Sequence, residues 1–348
     1  MSQNIQVTVT GGSGFLGSYC IVDLLKQGYK VKTTIRNLSK ESELRDTLSR
    51  FVTYKPDQLE FYEADLNHDK NWDAAIEGST YVLHVASPFL ANIPKDPEKE
   101  LIQPAIQGTI RVLEASQKNG VKRVVMTSSM AAISYGHPYP QKTAILDEQT
   151  WTNIDGDDVT PYVVSKTLAE KAAWDFIEKN SSLELTTINP SAIIGPLLSS
   201  DLSPSILIIK KLMNKEMPAL PKIGFQVTDV RDVTSAHIKA MTKPDAAGKR
   251  VAVTNQFLWM QDFAKILSKE FSSKGYSIPS ATIPDYLVKI FALFDKETRS
   301  VLNELGIKRE LSNERMKQLL GITPIDVSDS VISTAQSLIQ NNVLKTKK

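Results

Sequence analysis

The sequence predicts an α/β fold, a Rossmann-type doubly wound parallel sheet with a smaller, mostly helical C-terminal lobe. Two observations carry that expectation. Short β-branched runs alternate with segments of helical length through the first half of the chain, and a glycine-rich turn stands directly after the first run. Parallel neighbours need crossover connections, and the helices that supply them cover both faces of the sheet. The 348 residues, 41% of them hydrophobic, suffice for a large core in one big domain or two smaller ones.

The strands read in order as "IQVTVT" (5–10), "YKVKTTIR" (29–36), "LEFYEAD" (59–65), "YVLHVAS" (81–87), "RVVMTSS" (123–129) and "LELTTINP" (183–190). Residues 14–27 and 98–118 have helical length, and Thr160 with Pro161 forms a cap and first-turn pair that opens another helix. After Pro190 the pattern loosens. Pro196, Pro204, Pro218 and Pro221 punctuate short helices, and helical segments follow at 261–271, 286–294 and 326–340. Residues 1–190, completed by segments around 226–255, are expected to form a nucleotide-binding domain, with 191–225 and 256–348 as the substrate-binding lobe.

The overall charge narrows the classes of partner. Lys and Arg total 41 against 39 Asp and Glu, with no long run of one sign to follow a phosphate backbone, so no nucleic-acid partner is expected. The single cysteine, Cys20, cannot close an intrachain disulfide and is expected as a small buried hydrophobe in the first helix. The first residues lack the basic start and apolar core of a signal peptide, and "SILIIKKLM" (205–213) is broken by lysines well short of the roughly 20 residues a membrane span needs. A cytoplasmic protein with no membrane association is expected. His68, His137 and His237 show no metal-ligand spacing, and His84 lies in an apolar strand as a structural residue, so no metal is expected.

"TGGSGFLGS" places Gly11, Gly14 and Gly17 at the first strand-to-helix junction. That spacing permits a tight turn, a close approach to a pyrophosphate and tight packing of the helix whose N-terminus faces the charge. The second strand ends "TTIRNLSK", with Arg36 and Lys40 and no acid before Glu41. In such folds an acid there binds a free ribose 2′-hydroxyl and an arginine accommodates a 2′-phosphate, so NADP(H) is the expected cofactor, the alternative being a solvated basic strand end. Asp65, ending the third strand, either accepts from the adenine amino group or caps a turn. Tyr162 and Lys166, in "TPYVVSKTLAE", fall on one face of the helix opened by Thr160.

Together with "HVASP" (84–88), "TSS" (127–129), "NPSAIIGP" (189–196) and "DVRDVTSAHIKA" (229–240), these motifs resemble the extended short-chain dehydrogenase/reductases. The likeness is nearest to the dihydroflavonol 4-reductase, cinnamoyl-CoA reductase and yeast-type methylglyoxal (carbonyl) reductase group. It spans most of the chain to about residue 250 and weakens beyond. The resemblance implies an NADPH-dependent reduction of a small ketone or aldehyde to an alcohol, by a monomer or homodimer. Tyr162 would donate the proton, and Lys166 would lower the tyrosine pKa and hold the nicotinamide ribose. Ser129, or its neighbour Ser128, would bind the substrate carbonyl. It also implies cofactor contacts from Gly11, Gly14, Phe15, Leu16, Gly17, Arg36, Lys40, Asp65, Leu66, Ala86, Ser87, Tyr162, Lys166 and Pro190, with residues 87–89 passing close to the nicotinamide.

The chemistry explains the helix face. A phenol with a pKa of roughly 10 is a poor acid–base group at neutral pH, and an ammonium one turn away favours its anion. Other functions of the same fold are an NAD(P)-dependent epimerase or dehydratase, a 3β-hydroxysteroid dehydrogenase, and a non-catalytic NADP-sensing regulator. Arg36 disfavours the NAD-retaining sugar enzymes, and the Tyr162 and Lys166 pair disfavours the regulator. "TPYVVSK" replaces the aromatic "NWYCYGK" of the cinnamoyl-CoA enzymes, which puts CoA-ester activity in doubt. Substrate choice is expected to lie within 130–159 and 191–226.

Overall fold

The protein is seen in a computed structural model that describes residues 5–88, 95–138, 144–200, 202–294, 299 and 302–345. Seven strands form one sheet: β1 (Gln6–Thr10), β2 (Lys30–Ile35), β3 (Leu59–Glu63), β4 (Tyr81–His84), β5 (Arg123–Thr127), β6 (Glu184–Pro190) and β7 (Lys249–Val253). Their order is β7-β6-β5-β4-β1-β2-β3, and every neighbouring pair is parallel. The chain starts in the middle, builds outward through β2 and β3, then crosses back to β4. The reversal falls between β1 and β4, with Thr10 opposite His84 at their carboxyl ends. Open α/β sheets bind ligands at such a switch point.

Four helices matter for the site: α1 (Phe15–Lys26), α2 (Gln103–Lys118), α3 (Pro161–Lys179) and α4 (Val230–Thr242). Leu83 and Val125 join the core beneath α1 and α4, whereas their neighbours Val82, Val124 and Met126 join the core beneath α2 and α3. Successive strand residues point to opposite faces, so strands covered on both sides read as unbroken apolar runs rather than alternating ones. That is why "YVLH" and "RVVM" contain no solvent-facing position.

A second core lies among the helices Pro204–Met213, Met260–Phe271 and Val327–Gln340, where Ile206, Ile209, Phe263, Leu267, Val331 and Leu338 are fully buried. This part is less purely helical than the sequence suggests. It includes a three-stranded sheet of Phe257–Trp259, Gly224–Asp229 and Ala192–Ile194, and Glu310–Leu311 pairs with Ile145–Leu146. Most of these strands are two or three residues long, too short for alternation to register. Arg309 joins the late segment to the loop before α3 by pairing with Asp158 at 2.7 Å and Glu304 at 3.1 Å, its guanidinium lying over the Tyr135 ring. Among the described residues no helix is long and apolar enough to cross a membrane.

Candidate active site

The glycine loop is built for close approach. Gly11 has φ +71°, and a Cβ there would lie 3.0 Å from the Ala86 Cα. At Gly17 a Cβ would lie 2.3 Å from the Gly11 carbonyl oxygen, so helix α1 can pack back on its own loop only without one. Gly12, which the 11/14/17 spacing does not single out, is tighter still: its Cβ would fall 2.0 Å from Thr33 Oγ1. Gly14 differs from these. It is the N-cap of α1, and among the described residues no side chain caps the helix there and a Cβ would meet only the Gly11 carbonyl oxygen at 3.4 Å. The protein's own packing therefore does not require glycine at 14. Its missing side chain leaves the positive end of α1 bare, and that cradle fits the pyrophosphate of a dinucleotide.

Arg36 follows β2 directly, and Lys40 ends the short turn Leu38–Lys40, which Asn37 caps by accepting from the Ser39 amide at 2.9 Å. Both cations are exposed, and neither pairs with an acid among the described residues. Asp65 lies just past β3. Its Oδ1 accepts from the Asn67 amide at 2.9 Å and from Asn67 Nδ2 at 3.0 Å, the turn-capping role. Leu66 packs against Gly108, and its carbonyl accepts from Arg111 Nη1 at 2.8 Å.

Beyond β4, the Ala86 amide donates to Thr10 Oγ1 at 3.0 Å, and the same hydroxyl lies 2.9 Å from His84 Nδ1. Burial and the nearby Lys166 charge lower the His84 pKa to about 3, so the imidazole is neutral and ties β1 to β4 under the loop. His237 is likewise buried. It donates from Nδ1 to the Val233 carbonyl at 2.8 Å and meets Thr127 Oγ1 at 2.7 Å.

Helix α3 starts at the expected cap, with Thr160 Oγ1 accepting from the Val163 amide at 3.4 Å and Pro161 at the first position. The cap fixes where Tyr162 and Lys166 project. Lys166 is buried and donates from Nζ to Ser87 Oγ at 2.9 Å. Burial brings its pKa down to about 8, with the Glu170 charge opposing the fall. Tyr162 leaves 38% of its surface open, yet its hydroxyl is desolvated and hydrogen-bonded to the Ser129 side chain. Burial, the larger effect, raises the phenol pKa and the Ser129 bond offsets only part of the rise, so without cofactor the phenol lies above its ordinary value rather than below it. Residues 84–88 thus meet α3 at the switch point; Phe89 lies outside the described residues.

The two adjacent serines do different things. Ser129 caps the turn Met130–Ala132, its Oγ accepting from the Ala131 amide at 3.1 Å, and faces Tyr162. Ser128 points away and donates to Glu170 Oε2 at 2.5 Å. Glu170, fully buried, is bonded to Arg250 across 2.7 Å and was not apparent as a site residue from the sequence. A signal was present: Tyr162, Lys166 and Glu170 recur at four-residue intervals in "YVVSKTLAE". Pro190 ends β6, buried opposite Val253 of β7.

A glycine loop at the switch point of a parallel sheet, with a tyrosine and lysine on the helix beside it, defines an oxidoreductase of the extended short-chain dehydrogenase/reductase type. The chain belongs to the NAD dependent epimerase/dehydratase family, whose profile matches residues 7–254. It is 34% identical over 336 residues to cinnamoyl-CoA reductase CAD2 of Medicago truncatula, covering 95% of each chain. Its structure is similar to that of Gre2 from Candida albicans in complex with NADPH, with TM-score 0.80, 30% identity, and coverage of 97% of this chain and 99% of that one. Vestitone reductase from alfalfa (Medicago sativa) gives a TM-score of 0.75 at 27% identity, with the same coverage.

Proposed function

We propose that the protein is an NADPH-dependent carbonyl reductase that converts a small ketone or aldehyde to the alcohol with Ser129, Tyr162 and Lys166. The observation that carries this reading is the Ser129–Tyr162 hydroxyl pair beside a buried lysine, at the sheet's switch point. The NADPH bound by the Candida relative supports the choice of cofactor, as do Arg36 and Lys40, which pair with no acid among the described residues. In the proposed complex the amides of residues 11–17 face the pyrophosphate and Arg36 with Lys40 holds the 2′-phosphate. Asp65 and Leu66 border the adenine, and Ala86, Ser87 and Pro190 border the nicotinamide. The cytosol is the proposed compartment, and a monomer or homodimer the proposed state.

NADPH, when bound, supplies a hydride to the carbonyl carbon. Ser129 donates a hydrogen bond to the carbonyl oxygen, whose negative charge grows as the reaction proceeds, so the bond is stronger in the transition state than before it. Tyr162 gives the phenolic proton to that oxygen. Lys166 stabilises the phenolate left behind, and with a pKa near 8 it is largely cationic at neutral pH. The same value sets a direction. Turnover depends on the ammonium, so it declines as pH rises through about 8.

The test is a panel of ketones, aldehydes and diketones followed by NADPH oxidation, with NADH in parallel. Turnover of at least one carbonyl class with NADPH preferred is expected. No turnover of any carbonyl while NADPH binds tightly would exclude the assignment.

A further inference from the structure

Glu170 lies one turn beyond Lys166 on α3 and is fully buried. Its Oε2 accepts from Ser128 Oγ at 2.5 Å and from Asn189 Nδ2 at 2.7 Å, and its Oε1 accepts from Thr187 Oγ1 at 2.8 Å and Arg250 Nε at 2.7 Å. A buried ion pair is tolerated only when geometry and hydrogen bonds offset its desolvation, and here both carboxylate oxygens accept from more than one donor. Arg250 also donates to the carbonyls of Glu148, Thr150 and Ala132, and its guanidinium lies 3.6 Å over the Trp151 ring.

Three of these connections converge on the turn that carries the proposed catalytic hydroxyl. Ser128 reaches Glu170 directly. Asn189 spends its amide on both Glu170 and the Ser129 carbonyl, the latter at 3.2 Å. Arg250 reaches the Ala132 carbonyl at 3.3 Å. These bonds run from 2.5 to 3.4 Å and tie α3 to the turn after β5 as well as to the sheet.

We propose that Glu170 is the positioning residue of the catalytic turn: it engages the Ser128 hydroxyl and, through Asn189 and Arg250, the backbone of 129–132, leaving the Ser129 hydroxyl to face the carbonyl. The proposal rests on the carbonyl-reductase reading of Ser129. It has an electrostatic corollary, because the Glu170 carboxylate also favours the charged form of Lys166. The other groups that face Lys166 are the Ser87 hydroxyl and neutral His84 on β4, while Arg250 on β7 is paired with Glu170. Glu98, Lys99 and Glu100, on the turn packed against α3, are exposed.

The test is Glu170→Gln beside Glu170→Asp, each assayed for carbonyl reduction across pH, for NADPH affinity by fluorescence and for thermal melting. The Gln variant is expected to bind NADPH within about threefold of wild type and to lose kcat by up to about 100-fold, as a small displacement of a reacting group does. Its basic pH limb is expected about one unit lower, because the ammonium loses its neighbouring anion. The Asp variant keeps the charge, so its limb stays in place while kcat falls. Should Glu170→Gln fail to fold with Arg250 unpaired, Glu170→Gln with Arg250→Met removes both charges, and the same limb shift is expected. Wild-type kcat and limb in the Gln variant would overturn the proposal. So would a loss of kcat that tracks melting temperature with the limb unmoved. Tyr162→Phe is assayed alongside: if it loses turnover while Glu170→Gln behaves as wild type, only the Glu170 proposal fails, whereas undiminished Tyr162→Phe turnover removes the reading beneath it.

Discussion

In the proposed complex, single side chains carry the cofactor preference. Arg36 stands where a planar, permanently charged guanidinium can grip a phosphate bidentately, and among the described residues it has no acidic partner to give up. Arg36→Ala is therefore expected to weaken NADPH about tenfold to a hundredfold while leaving NADH nearly unchanged, the size of one or two charge-assisted hydrogen bonds. Titration of both cofactors against wild type and variant checks this; equal losses for the two would show that Arg36 does not read the 2′-phosphate. The placement of Arg36 at a strand end and of Tyr162 and Lys166 one helix turn apart was legible because each signal is local. Glu170 and Arg250 were not recognised. Their partners lie 17, 19 and 80 residues apart along the chain, so their pairing exists only once β6 and β7 flank α3.

At the scale of an element, the loop between β1 and α1 separates two uses of glycine. Gly14 leaves space that the protein itself does not fill, whereas Gly17 leaves space that the Gly11 carbonyl already occupies. Gly14→Val is expected to fold and melt near the wild-type temperature while NADPH binding weakens markedly. Gly17→Ala is expected to melt lower, because its Cβ would force the loop off α1. Circular dichroism melts and NADPH titration of both variants distinguish them; normal NADPH binding by folded Gly14→Val would make the loop an ordinary turn. The six strands read from the sequence all enter the main sheet, because each is a short run rich in β-branched and aromatic residues between turns and helical segments. The small sheet was missed for the opposite reason. Ala192–Ile194 and Phe257–Trp259 have three residues each, and their pairing with Gly224–Asp229 is set by tertiary packing rather than pattern.

For the whole molecule, buried histidines link stability to pH. His84 and His237 have folded-state pKa values of about 3 and about 4, against about 6.5 for an unfolded chain. Between those limits the unfolded state binds protons that the folded state does not, so stability present above about pH 6.5 is lost as pH falls. Each histidine costs about 2 kcal/mol at pH 5. Asp232, raised to about 6 chiefly by burial, takes up a proton in the folded state and offsets part of this. Melting temperature is expected to drop between pH 7 and pH 5; a flat profile would contradict two neutral buried imidazoles. The proposed catalysis depends on the whole assembly as well, since the loop after β1, the segment after β4, the turn after β5 and the start of α3 come together at the switch point. In the proposed reaction the proton comes from Tyr162. The most direct measurement is the single-turnover rate of carbonyl reduction by Tyr162→Phe at saturating NADPH, with the NADPH dissociation constant determined on the same preparation. An unchanged dissociation constant with a rate lower by about 10²–10⁴-fold is the predicted result. A folded variant that binds NADPH normally and keeps more than about a tenth of the wild-type rate would contradict it, because another group would then donate the proton.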